Sequence, residues 1–184
     1  MKRTKIGTVR SVAGIKDPYI KRILSYIVGK DAFNIYRQTP SQLKHLLKGL
    51  SERQLRTPPA KGRWSIAQIV SHLYDTEVVL GFRYRMAIAQ PGAPLQAFDE
   101  NKWASSLRYN SADCEKKLEL LIKMRRDHIT LLSSLSKKEW KHYGMHEERG
   151  KETVERMVQL EAGHDINHLR QIEIIRRLFL KQAK

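Results

Sequence analysis

From about Glu152 nearly to its end, the chain repeats apolar residues at the spacing of one helix face, and this long run constrains everything else. At about 100° per residue, Met157, Leu160, Ile175 and Leu178 fall within a narrow sector, while Arg170, Glu173 and Arg177 point the other way. Three more segments carry the same period. One is read as starting at Thr39-Pro40, an N-cap followed by proline at the first helical position, and burying Leu43, Leu46, Leu47 and Leu50. The next opens at Trp64-Ser65-Ile66-Ala67-Gln68. Ser65 and Gln68 there have capping-box spacing, each side chain satisfying an orphan backbone N–H of the other. It runs to about Gln90, where Pro91-Gly92-Ala93-Pro94 stops it. The third begins near Asn110 or Ser111 and ends near Ser134.

Strand signals are few, and no internal repeat is present. Tyr19–Val28 reads as a short accessory helix ending at Gly29. Residues 91–110 hold Phe98, Trp103 and Tyr109, aromatics read as packing residues. That stretch is long enough to cross over between helices that are not simple antiparallel neighbours. The polar stretch 136–151 is read as a loop. The expected fold is all-α: a four-helix bundle with a long crossover between its second and third helices and a short N-terminal accessory helix. Residues 1–30 are expected to form a basic arm and residues 31–184 the bundle domain.

The 184 residues fit one domain with a real core, 41% hydrophobic and 29% charged. No apolar run approaches the roughly 18–20 residues that span a bilayer. The start is basic but lacks the apolar region of a signal peptide. The lone Cys114 permits no internal disulfide and suits a reducing compartment, so the cytoplasm is expected. The net charge of +16 raises the question of nucleic acid. It is concentrated at the ends: residues 1–30 carry eight basic residues against Asp17, and residues 170–184 carry five against Glu173. Such ends could attract phosphate or an anionic surface, but they read more simply as solvated termini. No zinc-finger spacing, RNA-recognition signature or helix-turn-helix accompanies them, so nucleic acid is not an expected partner.

Two polar residues interrupt the apolar stripe of the last helix. His164 and His168 lie one turn apart in the middle of the face that must be buried, with Gln171 beside them. Imidazoles at i and i+4 can converge on one ion. A third ligand must come from another helix, and His72, beside the stripe of Ile66, Ile69, Leu73 and Leu80, is the best candidate. Three neutral imidazoles and one open position suit a catalytic divalent metal, although core histidines more often pack by hydrogen bonding. The zincin arrangement is absent, since Glu161-Ala162-Gly163-His164 places no glutamate after the first histidine. His45 and His128 read as partly exposed and His142 and His146 as loop residues, with His146 in possible reach of a pocket. Arg125 falls in the centre of the third helix's apolar stripe. It must therefore be paired, either bridging to a carboxylate such as Glu77 or Glu161 or anchoring a substrate carboxylate, with the bridge preferred. Arg83, on the ladder of His72, Thr76 and Val79, is a second candidate anchor. Asp75, Asn167 and Gln171 are candidates for fixing the imidazole tautomers.

These residues together resemble the DinB-like superfamily, which includes the YfiT-type metal-dependent hydrolases. Gly62-Arg63-Trp64-Ser65-Ile66 followed by His72-Leu73-Tyr74-Asp75-Thr76-Glu77 is similar to the family's opening signature, Phe98–Ala104 to its middle-loop motif, and Gly163–Ile172 to its closing one. The match covers about residues 31–180. The resemblance implies a four-helix bundle binding a divalent metal, often zinc or nickel, through His72, His164 and His168, in a protein that is often a homodimer. It implies a small-molecule substrate and either hydrolysis or transfer of a low-molecular-weight thiol. A metal-binding bundle without chemistry is the alternative, and a basic protein for nucleic acid or an anionic surface the more distant one.

Overall fold

The computed structural model describes residues 6–182, with the side chains of residues 181 and 182 left out. Part of the expected basic arm, including Lys2, Arg3 and Lys5, and the terminal Lys184 lie outside the described residues. The elements are α1 (Pro18–Ser25), α2 (Ala32–Leu47), α3 (Glu52–Arg56), α4 (Ile66–Ala89), β1 (Pro94–Leu95), α5 (Glu100–Ser106), α6 (Cys114–Ser134), β2 (Tyr143–His146), β3 (Gly150–Thr153) and α7 (Val154–Gln182).

Helices α2, α4, α6 and α7 form a four-helix bundle in which α2 and α4 each pack against both α6 and α7. Helices α4 and α6 run the same way: Glu77 meets Arg125 near their middles, and Arg85 meets Asp127 further on. Parallel neighbours cannot be joined by a tight turn, so the connection between them must travel back along the bundle. The long crossover follows from that geometry. The return path folds into β1, α5 and a single 3-10 turn at Tyr109–Ser111.

Helix α4 matches the expected start closely, with Ser65 as N-cap and both halves of the Ser65–Gln68 capping box made. Helix α6 starts slightly later than expected, at Cys114 after the N-cap Asp113. Helix α2 differs more. It begins at Ala32, where the Asp31 carboxylate accepts from the Asn34 N–H, and Pro40 lies inside it rather than at its start. A proline at position 40 cannot donate to the carbonyl of Tyr36. That carbonyl accepts instead from Arg125 Nη1 at 2.8 Å, so the break in the helix ladder is filled by the buried guanidinium.

The stretch expected as a loop, 136–151, contains most of a β-hairpin. Strand β2 pairs antiparallel with β3, His146 opposite Gly150, and parallel with β1, Leu95 opposite His146. This three-stranded sheet ties the two long connections together at one end of the bundle. Gly144 is required there, because a Cβ would stand 2.4 Å from Leu95 Cγ.

The described part of the N-terminal segment packs its apolar side chains, while its basic residues Arg10, Lys16, Lys21 and Arg22 stay exposed. Val9, Leu24 and Ile27 are buried with Ala162 of α7. Helix α1, capped by Asp17 with proline at its first turn, crosses α7 at Gly163, where a Cβ would lie 2.3 Å from the carbonyl oxygen of Ile23. The missing side chain next to His164 therefore admits α1 as a roof. Among the described residues no helix is long and apolar enough to cross a membrane.

Candidate metal centre

Two helix starts set the site. The capping box fixes the first turn of α4 and so the position of His72 two turns later; α7 carries His164 and His168 on its inward face. Helices α4 and α7 bring the three rings together: His72 Nε2 is 2.9 Å from His164 Nε2, which is 3.0 Å from His168 Nε2. All three residues are at least nine-tenths buried, and one nitrogen from each lies within 4.8 Å of the other two. The Trp64 ring leans on His72 with centroids 5.1 Å apart.

Burial, with the adjacent imidazole of His164, holds His72 well below the usual histidine range; the same burial and both neighbouring rings do so for His168. Both are therefore neutral. His168 Nδ1 lies 3.1 Å from Gln171 Oε1, an acceptor, so it carries the proton and Nε2 keeps its lone pair. His164 differs. Burial disfavours its charge, but the Glu161 carboxylate, 3.5 Å from Nδ1, together with Asp165 and Glu100 outweighs burial and raises its pKa. Among the described residues, Nδ1 of His72 has no hydrogen-bond partner.

Three converging Nε2 atoms form a poor hydrogen-bond cluster, since two close pairs compete for donors. They form a good donor set for a cation. Bonds of ~2.0–2.1 Å to zinc in a tetrahedral arrangement place imidazole nitrogens ~3.4 Å apart, a few tenths of an ångström from the separations here. The residues fit a divalent metal.

A cavity of about 340 Å³ opens from His72 and His164 toward the sheet. A second cleft, about 500 Å³, lies on the His168 side and is lined by Trp64, Asn167 and Gln171. Tyr19 of α1 and Glu100 of α5 line both. Glu100 Oε2 is 3.9 Å from His72 Nε2, and its side chain is half exposed at the mouth between the two spaces.

Of the candidates from sequence, the structure brings His72, His164 and His168 together and sets Gln171 against His168. Asn167 lines the second cleft. Asp75 faces away from the rings, with its carboxylate 3.8 Å from Lys117 Nζ, because its position on α4 turns it toward α6. Arg83 lines the cavity. Arg125 is fully enclosed, and Glu77, Glu161, Asp165 and the Tyr36 carbonyl take its donors. It therefore acts as a bridge and cannot reach a substrate. His128 is 2% exposed rather than partly exposed, its Nδ1 2.9 Å from Glu77 Oε2. Sequence reasoning passed over Glu161 as a partner of His164, although its position one turn earlier on the same helix was a usable signal. It also passed over Tyr19 and Glu100, which reach the site only through the tertiary path of α1 and α5. His146 does reach the cavity and is 3% exposed.

The family model of the DinB superfamily matches residues 35–172. The chain belongs to the DinB superfamily. A DinB relative from Bacillus subtilis, named "Putative metal-dependent hydrolase YfiT", is 26% identical over 147 residues, spanning 78% of this chain and 82% of its own length. A protein from Oceanobacillus iheyensis, also named a "Putative metal-dependent hydrolase", is 26% identical over 149 residues, 81% of this chain and 86% of its own. The solved structure of YfiT, described as having an unusual four-helix bundle topology, superposes with a TM-score of 0.75 at 23% identity and covers 80% of this chain and 85% of YfiT. A mycothiol-dependent maleylpyruvate isomerase shares the fold more distantly: TM-score 0.59, 10% identity, 78% of this chain and 61% of that one. The model begins at residue 35, so α1 and its roof over the histidines lie outside the matched region.

Proposed function

We propose that this DinB-superfamily chain is a metal-dependent enzyme acting on a small molecule, by transfer of a low-molecular-weight thiol or by hydrolysis, with His72, His164 and His168 as the metal ligands. The observation that carries this reading is the convergence of three buried Nε2 atoms between a cavity lined by His72 and His164 and a cleft lined by His168. Imidazole donors suit zinc or nickel. When bound, such an ion with an open position lowers the pKa of a water or thiol enough to give a nucleophile near neutral pH.

The chain's own residues supply the rest. Gln171 holds His168 in the tautomer with Nε2 free, and the Glu161 charge 3.5 Å from His164 Nδ1 favours a proton on that nitrogen. Trp64 and α1 keep bulk water from the rings, because Trp64 covers His72 and Ile20 and Ile23 roof the cavity. Glu100 is the carboxylate placed to receive a proton from a group entering beside His72, and its exposure lets it pass that proton to solvent. Similarity to proteins named metal-dependent hydrolases supports the hydrolytic branch. A shared fold with a mycothiol-dependent isomerase supports the thiol branch.

The test is turnover of an electrophile such as a chlorinated arene with a panel of cellular thiols, and of a panel of esters and amides, using protein loaded with zinc or nickel. Turnover by the native protein, lost in His164→Ala, is the expected result. Turnover that persists in His164→Ala would overturn it.

A further inference from the structure

Among the described residues two arginines are buried, and only one has a carboxylate at ion-pair distance. Arg125 is surrounded by carboxylates. Arg83, 6% exposed, has no carboxylate within 4.0 Å among the described residues. One of its terminal N–H groups donates to the Gln96 carbonyl, and its Nε–H is buried with no acceptor among the described residues. A guanidinium in that state is costly: its charge is desolvated without an ion pair and one donor is unused.

Arg83 lines the cavity that begins at His72 and His164. His72, Thr76, Val79 and Arg83 follow one another along one face of α4, so His72 and Arg83 stand at opposite ends of a wall that rises ~16 Å between their Cα atoms. The wall between them is largely apolar, with Val79 and Leu80 facing Met157 and Leu160. His146 lies at the same end as Arg83. Its Nδ1 accepts from the Glu148 N–H at 3.2 Å, which in the neutral ring leaves the proton on Nε2 as a second donor. Burial, then the nearby Arg149 and Arg83 charges, lower its pKa and hold it neutral.

Several acids also line the cavity, but most are already engaged. Asp17 caps α1, Glu152 is paired in two-point fashion with Arg149, and Glu161 faces Arg125 and His164. None of them lies within 4.0 Å of Arg83, and burial outweighs the favourable Glu152 and Glu161 charges to lower its pKa.

We propose that Arg83 anchors a carboxylate at the sheet end of the cavity, so that the site takes a small amphipathic acid whose apolar body lies along Val79 and Leu80 and whose other end reaches the histidines. The guanidinium lines the cavity, and its terminal N–H groups not given to Gln96 are the charge-assisted donors that a carboxylate can meet there. Only the identity of the far end as the reacting end rests on the function proposed above.

Calorimetric titration of metal-free protein with 4-phenylbutyrate and with its neutral amide tests this without any contribution from a metal. The native protein is expected to bind the acid ~10–100-fold more tightly than the amide, the range set by one charge-assisted contact. Arg83→Gln is expected to bind the two within ~3-fold of each other. Equal binding in the native protein, or an acid preference that survives in Arg83→Gln, would overturn the proposal. Without ligand, Arg83→Gln should melt at or above the native temperature, because it removes a buried charge that has no ion pair; a fall of ~5 °C or more would mark a structural role and count against it. If Arg83→Gln does not fold, Arg83→Lys, which keeps the charge and loses the fork, should show a smaller acid preference than native, and an unchanged one would overturn the proposal. Metal content after reloading separates the two ideas. Metal bound with no acid preference defeats the anchor alone; an Arg83-dependent acid preference with no metal defeats the metal reading alone.

Discussion

Two polar clusters share the interior of this bundle, and they solve burial in opposite ways. Around Arg125, every strong group has a partner: the guanidinium meets Glu77 at 2.6 Å and Asp165 at 2.7 Å, lies over the Tyr36 ring at 3.8 Å, and fills the carbonyl left open by Pro40. Around the histidines, donors and acceptors are mismatched. Three Nε2 atoms crowd one point, and Nδ1 of both His72 and His164 lack hydrogen bonds among the described residues. A closed network rigidifies the core; an open one of equal burial is tolerated where something else completes it. The electrostatics agree. Within the closed cluster, burial opposes ionisation of Glu77, but Arg125 and His128 prevail and lower its pKa, whereas burial and the neighbouring Glu161 and Glu77 push Asp165 up to about 7 against the pull of Arg125. One guanidinium cannot hold three carboxylates fully ionised.

The contrast breaks most sharply at Arg125. Arg125→Met leaves Glu77, Asp165 and Glu161 buried without their cation, and should cost about 4 kcal/mol in chemical denaturation. A loss below about 1 kcal/mol would show that the closed cluster does not hold the bundle together. The same denaturation series on metal-free His164→Ala should show a much smaller loss, since that cluster contributes little without an ion.

Glu161 belongs to both clusters, 3.4 Å from Arg125 and 3.5 Å from His164. Glu161→Gln should therefore act on both, weakening zinc affinity roughly 10–100-fold in a competition titration while lowering stability by about 1–2 kcal/mol. An unchanged affinity would remove Glu161 from the site. The smallest effect is expected at Gln171, which touches only His168. Gln171→Ala should weaken zinc about 10-fold or less and leave stability within about 0.5 kcal/mol; a large stability loss would make it part of the packing instead.

Much of the bundle was legible in the sequence because its signals are local. The Ser65–Gln68 box and the apolar period of α7 both act within a few residues, and His164 and His168 stand out as polar residues on an apolar stripe. The start of α2 was misread for an equally clear reason. Proline after threonine usually opens a helix, and only the approach of Arg125, 85 positions later in the chain, makes Pro40 tolerable in the interior. The hairpin of β2 and β3 was hidden by a short, polar stretch whose pairing partner includes β1, far away in sequence. Within the site, His72 could be proposed from its helix face. Tyr19 and Glu100 could not, because they arrive on α1 and α5, whose docking depends on Gly163 and on the path of the crossover.

Element-resolved anomalous scattering from crystals of protein purified without a nickel column tests the centre most directly. The expected result is one peak per chain within bonding distance of His72, His164 and His168, at the absorption edge of zinc or nickel, and absent from His164→Ala. No peak after incubation with either metal, or a peak that survives loss of His164, would contradict a shared cation among the three rings.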